Sequence, residues 1–263
     1  MKGLLGILFS LASCFITNAQ TITNTLKGYY STSKNNVIYS TFYFDGHGHV
    51  LINGNFPGEY FQKDDKLYVF PNKNVFIFKL DKNKIIGTSS WVDRIAYKLK
   101  NNPLIQVDDD AMSKSYEIDP NLLDQFYRLN FKQNSDSISF SALEEPQKYE
   151  HQMEDLCNKK LTSACGAWFG ISVLNEIDEL ESRLENEDLE VEPKPNIKIE
   201  SIAQRMINLN DFRGYALLGS YYVMIGDLNK AKIIFKEGAD KGDVDSIFAL
   251  ASLDMENFST DLD

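Results

Sequence analysis

The residue pattern changes its period once along the chain, close to Glu144. Before this point, residues 28–100 consist of short runs of β-branched and aromatic residues separated by turn-forming residues. After it, apolar residues recur every three or four positions, as they do along one face of an α-helix. A chain divided in this way does not fit an all-β or an all-α domain. The sequence therefore predicts the α+β class, with a β domain followed by a helical domain.

The β region begins with a clear hairpin signal in YSTFYFDGHGHVLIN, where Asp45-Gly46 separates two runs of strand-forming residues. KLYVF, NVFIFKL, KIIGTSSW and RIAYKLK follow, each bounded by a short turn. Five to seven short strands in succession predict an antiparallel meander or half-barrel over residues 20–100, with aromatic side chains forming its core. The pattern resembles the small lipocalin-like or half-barrel domains of bacterial envelope proteins.

A connector is predicted for residues 101–143, because Asn101-Asn102-Pro103 and Asp108-Asp109-Asp110 are typical of turns. Within it, Asp119-Pro120 supplies an N-cap residue followed by proline at the first helical position. This dipeptide predicts one short helix, from Asn121 to Phe131.

The helical domain is predicted to cover residues 144–263, with an acidic insertion near 185–196. Asp211, Asp227 and Asp243 are candidate N-caps, and Gly226 and Gly242 are candidate helix ends. Six helices fit the pattern, at residues 146–160, 163–186, 198–208, 212–225, 227–240 and 243–256.

The helical domain also contains an internal similarity. Residues 156–170 align with residues 205–219 and 237–251, at offsets of 49 and 32. A unit of about 32 to 36 residues explains both offsets if the acidic stretch is an insertion in the first unit. Repeats of this size cannot bury their apolar faces alone, so the sequence predicts a short α-solenoid of stacked units.

The second of the three aligned units shows the repeat pattern most clearly. Leu218-Gly219, Tyr222, Ala231 and Phe235 resemble the tetratricopeptide pattern, in which small residues let two helices approach and bulky residues fill the groove beside them. Ala239 and Gly242 resemble the related SEL-one-like repeat, and Gly170 occupies the position of Gly219 in the first unit. The resemblance covers roughly residues 150–257 and implies a helical-repeat surface that binds another protein.

Cys157 and Cys165 could be a metal pair, a redox pair or a structural staple. Zinc needs four ligands, and no cluster of His or Cys supplies the other two. A redox pair usually has the Cys-x-x-Cys spacing. The Cys-x7-Cys spacing at a helix–turn–helix junction is similar to that of exported, cysteine-bridged SEL-one-like proteins. That resemblance implies a disulfide between the two antiparallel helices.

The N-terminus favours export. Lys2 precedes an apolar run from Leu4 to Ile16, and Thr17-Asn18-Ala19 fits a small-x-small cleavage site, so residues 1–19 are predicted to be a signal peptide. Alternatively, Leu11-Ala12-Ser13-Cys14 resembles a lipobox, in which Cys14 would be lipidated. Either case predicts the periplasm or cell envelope, or secretion. No later segment is apolar enough for a transmembrane span in the mature chain.

Charge is distributed unevenly between the two halves. Residues 144–263 contain 25 acidic and 12 basic residues, whereas residues 1–143 contain 13 and 15. An acidic half of this kind is not typical of nucleic-acid binders, which present basic faces. It favours a basic partner, although acidity can also serve solubility alone.

No motif predicts catalysis, a metal site or a cofactor. Ser31-Thr32-Ser33-Lys34 matches Ser-x-x-Lys in letters but precedes a predicted strand and lacks the partner motifs. His47 and His49 are predicted at a hairpin tip, and Asp108–Asp110 lacks the glycine and closing glutamate of a calcium loop. The chain is therefore not predicted to be an enzyme.

The predicted function is that of an exported cell-envelope binding or scaffold protein that uses its helical-repeat surface for protein–protein interaction. Trp168 and Tyr221 are candidate partner-binding residues on that surface. One alternative is a carrier of a small apolar ligand in the β domain. Another is an immunity-type protein that neutralises a secreted toxin.

Overall fold

The computed structural model describes residues 21–71, 74–101, 117–133, 138–140, 146–185 and 194–260. The signal segment with Cys14, the turn Asp108–Asp110 and most of the acidic insertion lie outside these residues. The strands are β1 (Ile22–Thr23), β2 (Lys27–Ser31), β3 (Thr41–Asp45), β4 (His49–Ile52), β5 (Phe56–Lys63), β6 (Lys66–Phe70), β7 (Phe76–Asp81), β8 (Lys84–Gly87), β9 (Ala96–Lys100), β10 (Phe131–Gln133) and β11 (Ile138–Phe140). The helices are α1 (Pro120–Asn130), α2 (Pro146–Asn158), α3 (Thr162–Glu185), α4 (Ile197–Asn208), α5 (Arg213–Met224), α6 (Leu228–Asp240) and α7 (Val244–Thr260).

The α+β class and the order of its parts are confirmed: an antiparallel meander precedes the helices. The meander has more strands than the five to seven predicted, and it closes into an eight-stranded barrel rather than a half-barrel. Closure comes from the antiparallel pairing of β2 with β9, in which Tyr29 lies opposite Lys100 and Ser31 opposite Lys98. β1 adds a short pairing with the end of β5.

Aromatic rings fill the interior of the barrel. Phe42 lies at its centre, 5.2 Å from Phe78 and 5.0 Å from Tyr97 between ring centroids, and Phe44 lies 4.9 Å from Tyr60. All five side chains are fully buried. Eight-stranded barrels of this size are just wide enough for side chains to fill, so these rings form the core of the β domain.

The tyrosines of this core keep their hydroxyl groups hydrogen-bonded. Tyr60 Oη donates to the backbone carbonyl of Asn24 at 2.6 Å, and Tyr97 Oη donates to that of Tyr39 at 2.8 Å. Burial raises the pKa of both phenols above the ordinary value, so they are protonated at neutral pH.

A second core covers the outer face of β5, β6 and β7. Phe61 stacks on Tyr68 at 4.7 Å, and Tyr127 of α1 lies 4.8 Å from Tyr68. Phe70 contacts Phe126 at 5.8 Å. The same cluster continues through α2 to α6, so the barrel and the helical half share one apolar core.

Three polar contacts accompany this core. Glu59 of β5 is 1% exposed, and its carboxylate accepts hydrogen bonds from Thr162 Oγ1 at 2.8 Å and from the backbone N–H of Ser163 at 3.3 Å. It thereby caps the N-terminus of α3, where a negative charge is favourable. Asp124 of α1, also buried, accepts from Lys63 Nζ at 2.9 Å.

The third polar contact lies where α5 meets the barrel. Asp211 accepts from Arg213 Nε at 2.8 Å, and Arg213 Nη1 donates to the carbonyl of Pro71 at 3.4 Å. Burial opposes the charge on Asp211, but the Arg213 guanidinium and the hydrogen bonds outweigh it, so the pKa of Asp211 is lowered.

The helices are arranged as successive antiparallel neighbours, and α3, α5 and α7 also contact each other in sequence. These three helices form one layer, with α2, α4 and α6 in the other. Asp227 accepts from the N–H of Lys230, and Asp243 accepts from the N–H of Ser246, as expected of N-cap residues. Among the described residues, no helix has the length and apolarity needed to cross a membrane.

We expect reduction of the Cys157–Cys165 disulfide to lower the free energy of unfolding by about 2–3 kcal/mol, because the bridge closes a short loop in the unfolded chain. Urea unfolding with and without dithiothreitol measures this difference. The Cys157→Ala/Cys165→Ala double variant is the control, since its stability should not respond to the reductant. Equal stability of the oxidised and reduced protein would contradict the prediction.

We also expect Asp211→Asn to lower the free energy of unfolding by about 3 kcal/mol at neutral pH, because it leaves Arg213 partly buried without its carboxylate. The folded-state pKa of Asp211 is depressed, so its contribution is present above the ordinary Asp pKa and is lost as pH falls through the lowered value. Urea unfolding of both proteins from neutral pH to below pH 3 tests this. A difference that does not shrink at acidic pH would refute it.

Candidate partner-binding surface

The two cysteines join α2 to α3 beside the barrel. Cys157 lies in the last turn of α2 and Cys165 in the first turn of α3, with an S–S distance of 2.16 Å and a Cα–Cα distance of 4.6 Å. Both side chains are fully buried. The disulfide and the Glu59 cap therefore fix the same end of α3, one covalently and the other by hydrogen bonds to the barrel.

Gly219 marks the closest approach of α5 to α6. A Cβ atom at Gly219 would lie 2.4 Å from the ring of Phe235, which is itself 2% exposed. Leu218 and Ala231 are buried beside this contact. A small residue thus admits the neighbouring helix at this point, and larger residues fill the space around it.

Tyr222 connects three helices through its hydroxyl group. It donates to the carboxylate of Glu200 on α4, and Lys230 of α6 bonds the same Glu200 carboxylate at 3.1 Å and lies 4.3 Å over the ring of Tyr222. The hydrogen bond from Tyr222 and the charge and hydrogen bond of Lys230 lower the pKa of Glu200 despite partial burial. Burial raises the pKa of Tyr222.

The remaining signature residues lie along α3 and α6. Gly242 follows α6 at φ +83°, a backbone conformation that favours glycine and that ends the helix. Gly170 and Ala239 are half-buried on α3 and α6. Gly238 is a packing residue that the signature set missed: a Cβ there would lie 2.3 Å from Ser246 Oγ, and its spacing of three residues from Phe235 was the available signal.

The structure corrects the expectation for Trp168 and Tyr221, because both are buried, at 7% and 2% exposure. Tyr221 Oη accepts from the backbone N–H of Asn196 at 2.7 Å and so secures the entry to α4. Trp168 packs inside the helical half, with Lys198 Nζ 5.6 Å from its ring. Neither side chain is available to a partner.

Exposed large apolar side chains instead concentrate on the last three helices. Of the ten in the described part of the chain, six lie on α5, α6 and α7: Val223, Met224, Leu228, Ile233, Ile247 and Phe248. Phe248, at 67%, is the most exposed of these six. The exposed sides of these three helices, with Val223, Met224, Ile247 and Phe248 in the layer of α5 and α7 and Leu228 and Ile233 in the layer of α6, are together called the α5–α7 surface below.

Acidic side chains accompany this surface within the layer of α3, α5 and α7. Asp178, Glu179 and Glu181 are exposed on the second half of α3. Because α3 contacts α5, an apolar surface in the same layer as these acidic side chains fits a partner that combines apolar side chains with basic ones.

The interior of the barrel is less suited to binding a ligand than the helical surface is to binding a partner. Its interior is occupied by the packed rings of Phe42, Phe44 and Phe78 rather than by a cavity lined with them. His47 and His49 donate their backbone N–H groups to Asp45 in the β3–β4 turn. Within the described residues, no three metal-ligating side chains come together.

Comparison with protein-family models, with curated proteins and with solved structures gives no match for this chain.

We expect Gly219→Ala to lower the free energy of unfolding by about 1–3 kcal/mol, since the new methyl group would overlap the buried ring of Phe235. Gly166→Ala is the matched control in α3. A Cβ there would meet only Met206 Cε at 3.8 Å, an ordinary contact. Because alanine favours helix, this variant should gain up to about 1 kcal/mol. Urea unfolding of both variants measures the two values, and equal effects would contradict the close-approach role of Gly219.

Proposed function

We propose that this chain is an exported cell-envelope binding protein that holds another protein through the α5–α7 surface. The observation that carries the proposal is the concentration of exposed apolar side chains on the last three helices, with Phe248 foremost. Apolar residues at this density on a surface are typical of protein-interaction sites. The function is binding without catalysis, and the barrel serves as its support.

The helical half is proposed to be a short array of repeats that resembles tetratricopeptide and SEL-one-like proteins. The contact of Gly219 with Phe235 supports this proposal, because it joins two residues of the repeat signature. Stacked repeats present extended surfaces to partners. Ile247 and Phe248 lie exposed on α7.

The proposed partner has an apolar segment flanked by basic residues. Its apolar side chains would cover Phe248, Ile247 and Met224, and its basic residues would lie towards Asp178, Glu179 and Glu181 of α3. This pairing would give long-range attraction from the charges and affinity from the buried apolar core of the interface. Binding is therefore expected to weaken with salt without being abolished by it.

The test is affinity capture from the envelope fraction of the source cells, with the wild-type protein and two variants. Phe248→Asp places a charge in the α5–α7 surface, and Ile197→Asp makes the same chemical change at a residue that is 80% exposed at the start of α4, outside that surface. We expect Phe248→Asp to reduce recovery of the partner at least tenfold, as loss of a binding hot spot does, while Ile197→Asp retains it.

Circular dichroism and urea unfolding would verify that both variants keep the fold. Reversing the charges of Asp178, Glu179 and Glu181 together should reduce recovery by a smaller factor, mainly at low salt. The proposal is refuted if the wild-type protein and both aspartate variants recover the same set of proteins in the same amounts.

A further inference from the structure

The barrel carries a cluster of lysines on the side that faces away from the helices. β9 lies opposite β5 around the eight-stranded barrel, and the helical half covers the outer face of β5, β6 and β7. Five lysines follow the uncovered side, which begins at Lys79 in the exposed second half of β7: Lys79, Lys82, Lys84, Lys98 and Lys100. These five residues are called the lysine face below.

The lysines of this face lie close together because of the strand register. Lys84 of β8 is paired directly with Lys98 of β9, and Lys100 is the next outward residue along β9. Like charges directly opposite each other in a sheet are destabilising. Repulsion between Lys84 and Lys98 therefore lowers the stability of the fold. Both side chains point outward, so the packing of the barrel core does not require lysine at either position.

Neutralisation within the protein is slight. Asp81 bonds Lys84 at 2.9 Å. In the parts of the chain that the structure describes, no carboxylate lies within ion-pair distance of Lys79, Lys82, Lys98 or Lys100. After the hydrogen bond from Lys84, the charges of Lys82 and Lys79 also help lower the pKa of Asp81, so one carboxylate faces five lysines, which is a local excess of positive charge in a protein with a net charge of −11.

The same side of the barrel has two exposed apolar loop tips. Ile38 lies in the loop between β2 and β3 and is 64% exposed, and Trp91 lies in the 3₁₀ helix Ser90–Val92 between β8 and β9 and is 55% exposed. Because β2 pairs with β9, these two loops leave the barrel side by side at one end. The hydrogen bond from Tyr97 Oη to the carbonyl of Tyr39 joins them.

We propose that this side of the barrel lies lengthwise on the surface of an anionic phospholipid membrane, with Trp91 and Ile38 entering the interfacial region at one end and the lysine face, which extends to the β7–β8 turn at the other end, contacting headgroup phosphates. Lysine is a compact charge on a flexible stem, which suits a mobile array of phosphates better than one fixed ligand. Tryptophan is the side chain most typical of the membrane–water interface. The acidic helical half lies on the opposite side of the barrel, so repulsion from the membrane favours the same orientation.

The inference is independent of the α5–α7 surface, because it concerns the other side of the molecule. Its test uses residues 21–263, which contain every described element. Residues 1–20 are omitted because their apolar run would itself partition into lipid. The protein is mixed with vesicles of phosphatidylcholine, with or without about one third phosphatidylglycerol, and the bound fraction is measured by flotation.

We expect binding only to the vesicles that contain phosphatidylglycerol, and we expect added NaCl to weaken it. The variant Lys84→Gln/Lys98→Gln/Lys100→Gln should bind roughly a hundredfold more weakly, because each lysine near an anionic surface contributes about a fivefold factor. The matched control changes three exposed lysines of the helical half, Lys194→Gln/Lys236→Gln/Lys241→Gln, and should bind like the wild type.

Tryptophan fluorescence gives a second readout that does not depend on charge. The chain has two tryptophans, of which Trp168 is buried and Trp91 is exposed. Vesicle binding should shift the emission to shorter wavelength, and Trp91→Phe should abolish that shift.

Three results would overturn the proposal. They are absence of phosphatidylglycerol-dependent binding by the wild type, equal loss of binding in both lysine variants, and salt-sensitive self-association that depends on the lysine face without vesicle binding. The last result would assign the lysine face to the acidic helices of a second copy.

Discussion

The structure depends on three strands whose central residues are buried on both faces. Over residues 58–61, 67–70 and 76–78 of β5, β6 and β7, side chains point alternately into the barrel and onto the helices, and both sets are covered. Tyr60 and Val69 face the barrel interior, whereas Phe61, Tyr68 and Phe70 face the helical half. A strand exposed on one side would alternate between apolar and polar residues. These strands are apolar on both faces, so separating the two halves of the chain would expose apolar side chains on each of them. Burial of apolar surface stabilises a fold by about 25 cal/mol per Å². The aromatic rings buried at this junction therefore contribute strongly to the free energy of unfolding.

Apolar contact of this kind fixes the distance between the two halves but leaves their orientation loosely determined, because the hydrophobic effect is not directional. Hydrogen bonds between the two halves fix their relative orientation. Glu59 binds the first residues of α3, and Arg213 reaches from α5 to the carbonyl of Pro71. Since the disulfide holds the N-terminal turn of α3 to α2, the cap from Glu59 positions two helices at once. The later helices then follow by stacking, each on the one before it.

The sequence predicted those features that local patterns determine. The bounds of α2 to α6 lie within two residues of those expected, because the regular apolar period fixes them throughout and, at α6, the Asp227 N-cap and Gly242 after the end coincide with it. Closure of the barrel was not predictable, because the pairing of Tyr29 with Lys100 joins residues far apart in sequence, and no local sequence pattern indicates such a pairing. The burial of Trp168 and Tyr221 was missed for a related reason: the stacking angle between helices decides which side of a helix meets solvent.

The distribution of exposed residues follows from the same junction. Helices that cover β5, β6 and much of β7 leave β8, β9 and β2 uncovered, and α7 packs mainly against α5 and α6. Trp91, Ile38 and most of the lysine face lie on the uncovered side of the barrel, and Ile247 and Phe248 lie on α7, whereas other exposed apolar residues such as Ile197 of α4 lie outside both places. Because the barrel separates the lysine face from α7, a ligand on one would not block the other. A rigid junction between them would then hold two bound partners at a fixed separation, which is what a scaffold requires and what a flexible linker between the halves would not give.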